Sequence, residues 1–126
     1  MSKRRDQRGE SPVQFLATAR ELQIMIIKTT VKWPRRYSFS LINNIVQLAA
    51  QVHIEAKFAN SIYAQTDTEW QIRRNHINAA IGALENLAPQ IDIAKQMFPT
   101  ETKKEEAIME LIDKELALLK ALKTSD

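Results

Sequence analysis

The sequence predicts an all-α protein, an up-down-up-down four-helix bundle. Apolar residues recur at steps of three and four along most of the chain, which is the spacing of helices that bury one face. The chain has two glycines and four prolines, too few for the many turns of an all-β protein. Short connections separate four periodic segments, and short connections favour antiparallel neighbours.

The basic residues near the start of the chain precede any helical pattern. Residues 1–10 hold four Lys or Arg, two acidic residues and a glycine, without apolar periodicity. Such a segment has little to bury, so we expect a flexible basic arm over 1–10 and the bundle over 11–126. No apolar stretch follows the basic start, so we expect no signal peptide. Since the chain also lacks cysteine, we expect a cytoplasmic protein.

The first predicted helix has clear signals at both ends. Ser11 is a suitable N-cap, Pro12 occupies the first helical position, and Gln14 completes a capping box. Pro34 disfavours helical geometry at the residue before it, so we expect this helix to end near Val31 or Lys32.

The second predicted helix has the longest uninterrupted helical pattern in the chain. It begins within Arg36–Phe39 and extends to Ala64, with no proline or glycine inside. The third helix begins at another capping box, in which Thr66 is the N-cap and Glu69 reaches back to it. That helix is expected to end near Met97.

The fourth predicted helix begins at a third capping box, formed by Thr102 and Glu105. Its inward positions are apolar apart from Glu115, which falls at the same spacing as Ile108 and Ile112. Its outer face mixes Lys and Glu, which is typical of a solvated face with pairs four residues apart.

The net charge of +3 hides an asymmetry along the chain. Residues 1–74 hold twelve Lys or Arg against six acidic residues, whereas residues 75–126 hold six against nine. A basic first half favours a polyanion or an acidic partner.

Several kinds of chemistry lack the residues that they need. Without cysteine there is no disulfide, thiolate zinc site or thiol nucleophile. A di-iron bundle needs Glu-x-x-His pairs, and neither His53 nor His76 has a glutamate three residues before it. His53 and Glu55 form a His-x-Glu pair without the cysteines of a deaminase. We therefore expect no enzyme activity, no cofactor and no bound metal.

The connection after the first helix holds the most informative cluster. Four cations flank a tryptophan and a tyrosine, a combination that suits phosphates and exposed bases. Two arginines early in the third helix extend the same patch or form a neighbouring one. The candidate nucleic-acid-binding residues are therefore Lys28, Lys32, Trp33, Arg35, Arg36, Tyr37, Arg73 and Arg74. A plainer interpretation is that the loop cations are solvated and that Trp33 and Phe39 cover the end of the bundle.

The same connection resembles that of a known family. A short first helix leads into a lysine, an aromatic residue, a proline, a basic residue and a tyrosine, and a leucine and a late alanine follow on a long second helix. In this sequence these residues are Lys32, Trp33, Pro34, Arg35 or Arg36, Tyr37, Leu41 and Ala56. Over about residues 15–95 the chain resembles the accessory variability determinant family of diversity-generating retroelements. More distantly, it is similar to the four-helix-bundle proteins encoded in intervening sequences of bacterial 23S ribosomal RNA genes.

The resemblance implies a specific function. Such proteins are barrel-shaped homopentamers with a basic surface. They bind nucleic acid and the reverse transcriptase of the retroelement, and they support mutagenic complementary-DNA synthesis without being catalytic. A different class of function stays open beside this one, in which the chain is a phage- or bacterium-encoded structural bundle that binds protein and no nucleic acid.

The second predicted helix also carries apolar residues outside its inward stripe. They are Ile42, Val46, Ile54, Phe58 and Ile62. This is more apolar surface than one bundle seam requires, which favours contact between subunits. Together with the resemblance, which implies a pentamer, this leads us to expect a homopentamer. The plainer alternative is that this long helix is buried within its own bundle.

Overall fold

The computed structural model describes residues 2–99 and 102–125, with side chains from Gln14 onward. Within these ranges the chain is helical and forms no strand. The four helices are α1 (Ser2–Thr30), α2 (Asn43–Ser61), α3 (Asp67–Met97) and α4 (Thr102–Ser125). The predicted all-α, four-helix architecture is confirmed.

Each helix packs against the helices before and after it, and α4 closes the bundle against α1. The last turns of α1 share a groove with the first turn of α4, and the first half of α3 shares another with the last turns of α4. Neighbours in these pairs are therefore antiparallel. One end of the bundle consequently gathers the end of α1, the end of α3 and the start of α4.

Helix α1 ends at Thr30, close to the predicted position. The backbone N–H of Trp33 donates to the carbonyl of Thr30 at 3.0 Å, which closes the last turn before Pro34. The other boundary differs from the prediction, because α1 is described from Ser2 and not from an N-cap at Ser11. The predicted flexible arm stays a prediction, since it lies on residues whose side chains are outside the description.

Two tight turns lead from α1 into α2. A 3₁₀ turn over Arg35–Tyr37 is followed by a π-helical turn over Ser38–Ile42, which continues directly into α2. The chain therefore becomes helical where the sequence predicts. Helix α2 ends at Ser61, and Ile62 is already extended, so the predicted extension to Ala64 is wrong by one turn.

The capping box at the start of α3 is confirmed atom by atom. The N–H of Glu69 donates to Thr66 Oγ1 at 3.1 Å, and the N–H groups of Thr66 and Gln65 donate to Glu69 Oε1 at 3.0 and 2.8 Å. These backbone hydrogen bonds lower the pKa of Glu69 because they favour its charged form. Helix α3 continues through Pro89, which is exposed.

The predicted capping box at the start of α4 does not form. Thr102 Oγ1 instead donates to the carbonyl of Pro99 at 2.6 Å. The side chain of Glu105 is fully buried, so it does not reach back to the first turn. Glu105 thus belongs to the inward face of α4.

The core is a continuous aliphatic cluster that contains two carboxyl groups. Glu105 and Glu115 are both fully buried at the inward heptad positions of α4. The carboxyl of Glu115 has no hydrogen-bond partner among the described residues. Burial raises its pKa to about 9, against a smaller opposing effect of Lys114. Glu115 is therefore protonated in the folded protein at neutral pH.

Replacing Glu115 should stabilise the protein and flatten its pH dependence. The folded state holds a proton that the unfolded chain releases above pH 4.5, so stability falls as pH rises from there to about 9. At pH 7 this costs on the order of 3 kcal/mol. In urea unfolding, Glu115→Leu should recover about 2–3 kcal/mol at pH 7. The control Glu110→Leu, on the exposed face, should keep the pH slope. An unchanged slope in Glu115→Leu would contradict the assignment.

Candidate nucleic-acid interface

Three aromatic rings hold the connection after α1 against the end of α3. The ring of Trp33 packs on Phe98 with centroids 4.8 Å apart, and Tyr37 meets the same ring edge-on at 5.4 Å. Phe98 follows α3 directly, and its N–H donates to the carbonyl of Ala94 at 2.8 Å. The connection therefore has a defined position on the bundle, and the charged residues beside it are held at the same end.

Trp33 belongs to this support and not to the binding surface. Its side chain is 5% exposed, so its ring is not available to stack on a base. The prediction of Trp33 as a binding residue is corrected on this point. The position of Trp33 instead agrees with the plainer interpretation of the sequence, in which this residue covers the end of the bundle. Tyr37 is half-buried, and the guanidinium of Arg36 lies 4.9 Å from its ring centroid.

Four lysines line one groove at this end of the molecule. Lys28 and Lys32 come from α1 and the turn after it, and Lys103 and Lys104 come from the first turn of α4. The groove is open, about 470 Å³ in volume, and Ile24, Met25 and Ala107 contribute apolar surface. Glu21 is an acidic residue in the same lining.

Two arginines and one exposed aromatic residue complete this surface. Arg35 and Arg36 are exposed in the 3₁₀ turn. Phe39, in the π-helical turn that follows, is 92% exposed. We call Lys28, Lys32, Arg35, Arg36, Lys103 and Lys104 the basic end. Phe39 is the exposed ring nearest to the basic end along the chain, so it replaces Trp33 as the candidate for base stacking.

Arg73 and Arg74 lie at the other end of the bundle. They are in the second turn of α3, whereas Phe98 follows its last turn, roughly 35 Å away along the helix. Nε of Arg73 donates to the carbonyl of Ala59 at 3.2 Å, and its guanidinium lies 5.7 Å from the ring of Trp70. Arg73 therefore joins α3 to the end of α2, and neither arginine extends the basic end.

Lys103, Lys104 and Phe39 were absent from the predicted site. A signal for the two lysines was available, because in an up-down bundle the fourth helix begins where the first one ends. No comparable signal distinguishes Phe39 from Trp33. Both rings flank the same turn, and their exposure depends on how the turn packs against Phe98.

The two histidines bind partners on neighbouring helices. Nδ1 of His53 is 2.8 Å from Oε1 of Gln23 on α1, and Nδ1 of His76 is 2.6 Å from Oε1 of Glu55 on α2. Glu55 therefore pairs with His76 and not with its sequence neighbour His53. Burial, together with the charges of Lys57 and Arg20, lowers the pKa of His53.

Neither a metal cluster nor a membrane span emerges from the part of the chain that the structure describes. No three acidic or histidine side chains there approach one another closely enough to hold a metal ion. None of the described helices combines the length and apolar character needed to cross a bilayer. Comparison with protein-family models, curated proteins and solved structures finds no match to this chain.

Proposed function

We propose that this protein is a non-catalytic accessory protein that binds nucleic acid through the basic end. The observation that carries the proposal is that six cations from two distant segments gather at one end of the bundle. Cations from α1, the turn after it and α4 form a surface that a phosphate backbone can follow. Contacts from these cations to phosphates carry no sequence information, so we expect sequence-independent binding.

The proposal extends to a reverse transcriptase as protein partner. Its support is the resemblance of the connection around Lys32–Tyr37 to the accessory variability determinant family. The packing of Trp33 and Tyr37 on Phe98 fixes the backbone that carries the cations. A rigid surface of this kind is suitable for docking a second macromolecule.

Removing two arginines should weaken binding and its dependence on salt. Arg35→Ala with Arg36→Ala deletes two phosphate contacts, so the slope of log affinity against log salt should fall by about 1.4–1.8. Stability should hardly change, because both side chains are exposed. Fluorescence anisotropy with single-stranded and duplex RNA and DNA across a salt series measures both quantities.

The matched control removes the same charge elsewhere. Lys57→Ala with Lys114→Ala deletes two exposed cations outside the basic end and should leave the slope close to that of the wild type. An equal loss in both double variants would mean diffuse attraction without a site. No wild-type binding even at about 50 mM salt would refute nucleic-acid binding altogether.

Phe39 should separate single strands from duplexes. Base stacking on an exposed ring contributes about 1–3 kcal/mol, and the bases of a duplex are not accessible to it. Phe39→Ala should therefore weaken binding to single strands about five-fold or more and leave duplex binding unchanged. Tyr63→Ala is the control, because Tyr63 is 82% exposed and follows the opposite end of α2. Equal losses for both nucleic acids would exclude stacking by Phe39.

A second candidate function, protein interaction without nucleic acid, is favoured by an apolar area on α2 and α3. Ile54, Phe58 and Ile72 are each about half exposed. The ring of Phe58 also stacks on His76 with centroids 5.0 Å apart. Ile72 precedes His76 by one turn, so these side chains form one patch across both helices. Ile42, Val46 and Ile62 of the predicted subunit contact are only partly exposed.

We propose that this patch joins copies of the chain into the homopentamer that the family resemblance implies. Sedimentation velocity should give the mass of a pentamer for the wild type. Phe58→Glu should shift the sedimenting mass to that of the monomer. Assembly would bury the introduced carboxylate without a partner, which is unfavourable. Tyr63→Glu changes a neighbouring exposed ring and should leave the mass unaltered. A wild-type monomer at micromolar concentration would refute the assembly.

A further inference from the structure

A second basic groove lies between α3 and α4, at the end of the bundle opposite to the basic end. Its volume is about 770 Å³, within the range of small-molecule sites. Arg74 contributes from α3, and Lys120 and Lys123 contribute from the last turns of α4. Ile81 and Gly82 are also part of the lining, with Asn78 and Glu85 one turn to either side.

Gly82 is the unexplained residue in this groove. It lies inside α3, where glycine is less favourable than alanine. Its φ is not positive, so the backbone does not require glycine. A Cβ atom added at this position meets no other atom within 4 Å. Nothing in the described fold therefore requires this position to lack a side chain, but the groove would lose depth if it had one.

The helix dipole explains only some of the cations that line this groove. Lys120 and Lys123 lie in the last turns of α4, where cations offset the negative end of the helix dipole. That effect gives no reason for Arg74, which lies in the second turn of α3, beyond the turn where the helix dipole acts. The helices themselves therefore explain neither Arg74 nor Gly82, and the two residues line the same groove.

We propose that this groove binds a nucleoside polyphosphate. Arg74, Lys120 and Lys123 meet the phosphate oxygens, for which guanidinium and ammonium groups are the usual partners. Gly82 leaves a strip of helix surface without a side chain, beside the almost buried Ile81, and a planar base lies on this strip. Asn78 donates or accepts hydrogen bonds at one edge of the base, and Glu85 accepts them at the other.

The proposal is independent of nucleic-acid binding at the basic end. It uses cations from α3 and α4 that are not part of that surface. Arg35→Ala with Arg36→Ala should accordingly leave nucleotide binding unchanged, so that failure of either proposal is seen separately.

The test is calorimetric titration of the full chain with ATP, inorganic triphosphate and adenosine, in about 50 mM salt without divalent cations. We expect one ATP per chain, weaker binding of triphosphate and the weakest binding of adenosine. Gly82→Leu should weaken ATP binding at least tenfold, since its side chain occupies the strip. Arg74→Gln should weaken ATP binding about tenfold through the loss of a charged hydrogen bond.

Two further variants keep the outcome unambiguous. Gly82→Ala should raise the thermal midpoint by a few degrees, because it removes a helix glycine without a clash, while still weakening ATP binding. Lys57→Gln deletes an exposed cation outside the groove and should bind ATP like the wild type. Absence of ATP binding by the wild type, or wild-type affinity in folded Gly82→Leu, would overturn the proposal. The proposal would also be overturned if Gly82→Leu changed the sedimenting mass and left ATP binding unchanged, since the groove would then be a contact between copies.

Discussion

The packing of Trp33 and Tyr37 on Phe98 is the contact on which the arrangement of this end of the protein depends. Two connections meet there, one between α1 and α2 and the other between α3 and α4. They are far apart in the sequence, so their contact depends on how the helices pack. Burying the indole against Phe98 holds Trp33 at the end of α3, because removing a large apolar ring from water is favourable.

The charged surface follows from that packing. Lys28 and Lys32 approach Lys103 and Lys104 because α1 ends where α4 begins, and like charges are brought together against their mutual repulsion. The apolar contacts below must supply the free energy for this. In a cyclic assembly of such bundles the same surface would be repeated, so that weak individual contacts add up to strong binding.

Helix α4 combines buried glutamates on its inward face with lysines that line the two basic grooves. Its inward face carries two glutamates among aliphatic residues, and burial keeps at least Glu115 protonated. Its outward ends carry the lysines that line one groove with α1 and the other with α3. The helix is therefore held to the bundle less strongly than an all-aliphatic face would hold it, although it contributes cations to both proposed sites.

The sequence by itself determined the number of helices, the all-α class and several boundaries, among them the capping box at Thr66 and the end of α1. These features depend on residues within one or two turns of each other, and periodicity, caps and prolines record them locally. Only the tertiary structure decided that Trp33 is buried and Phe39 exposed, that Glu105 faces the core, and that Arg73 lies away from Arg35. Each of these features depends on packing between segments that are distant in the chain. Two aromatic residues in the same turn look alike in the sequence, and only their tertiary contacts determine which one is buried.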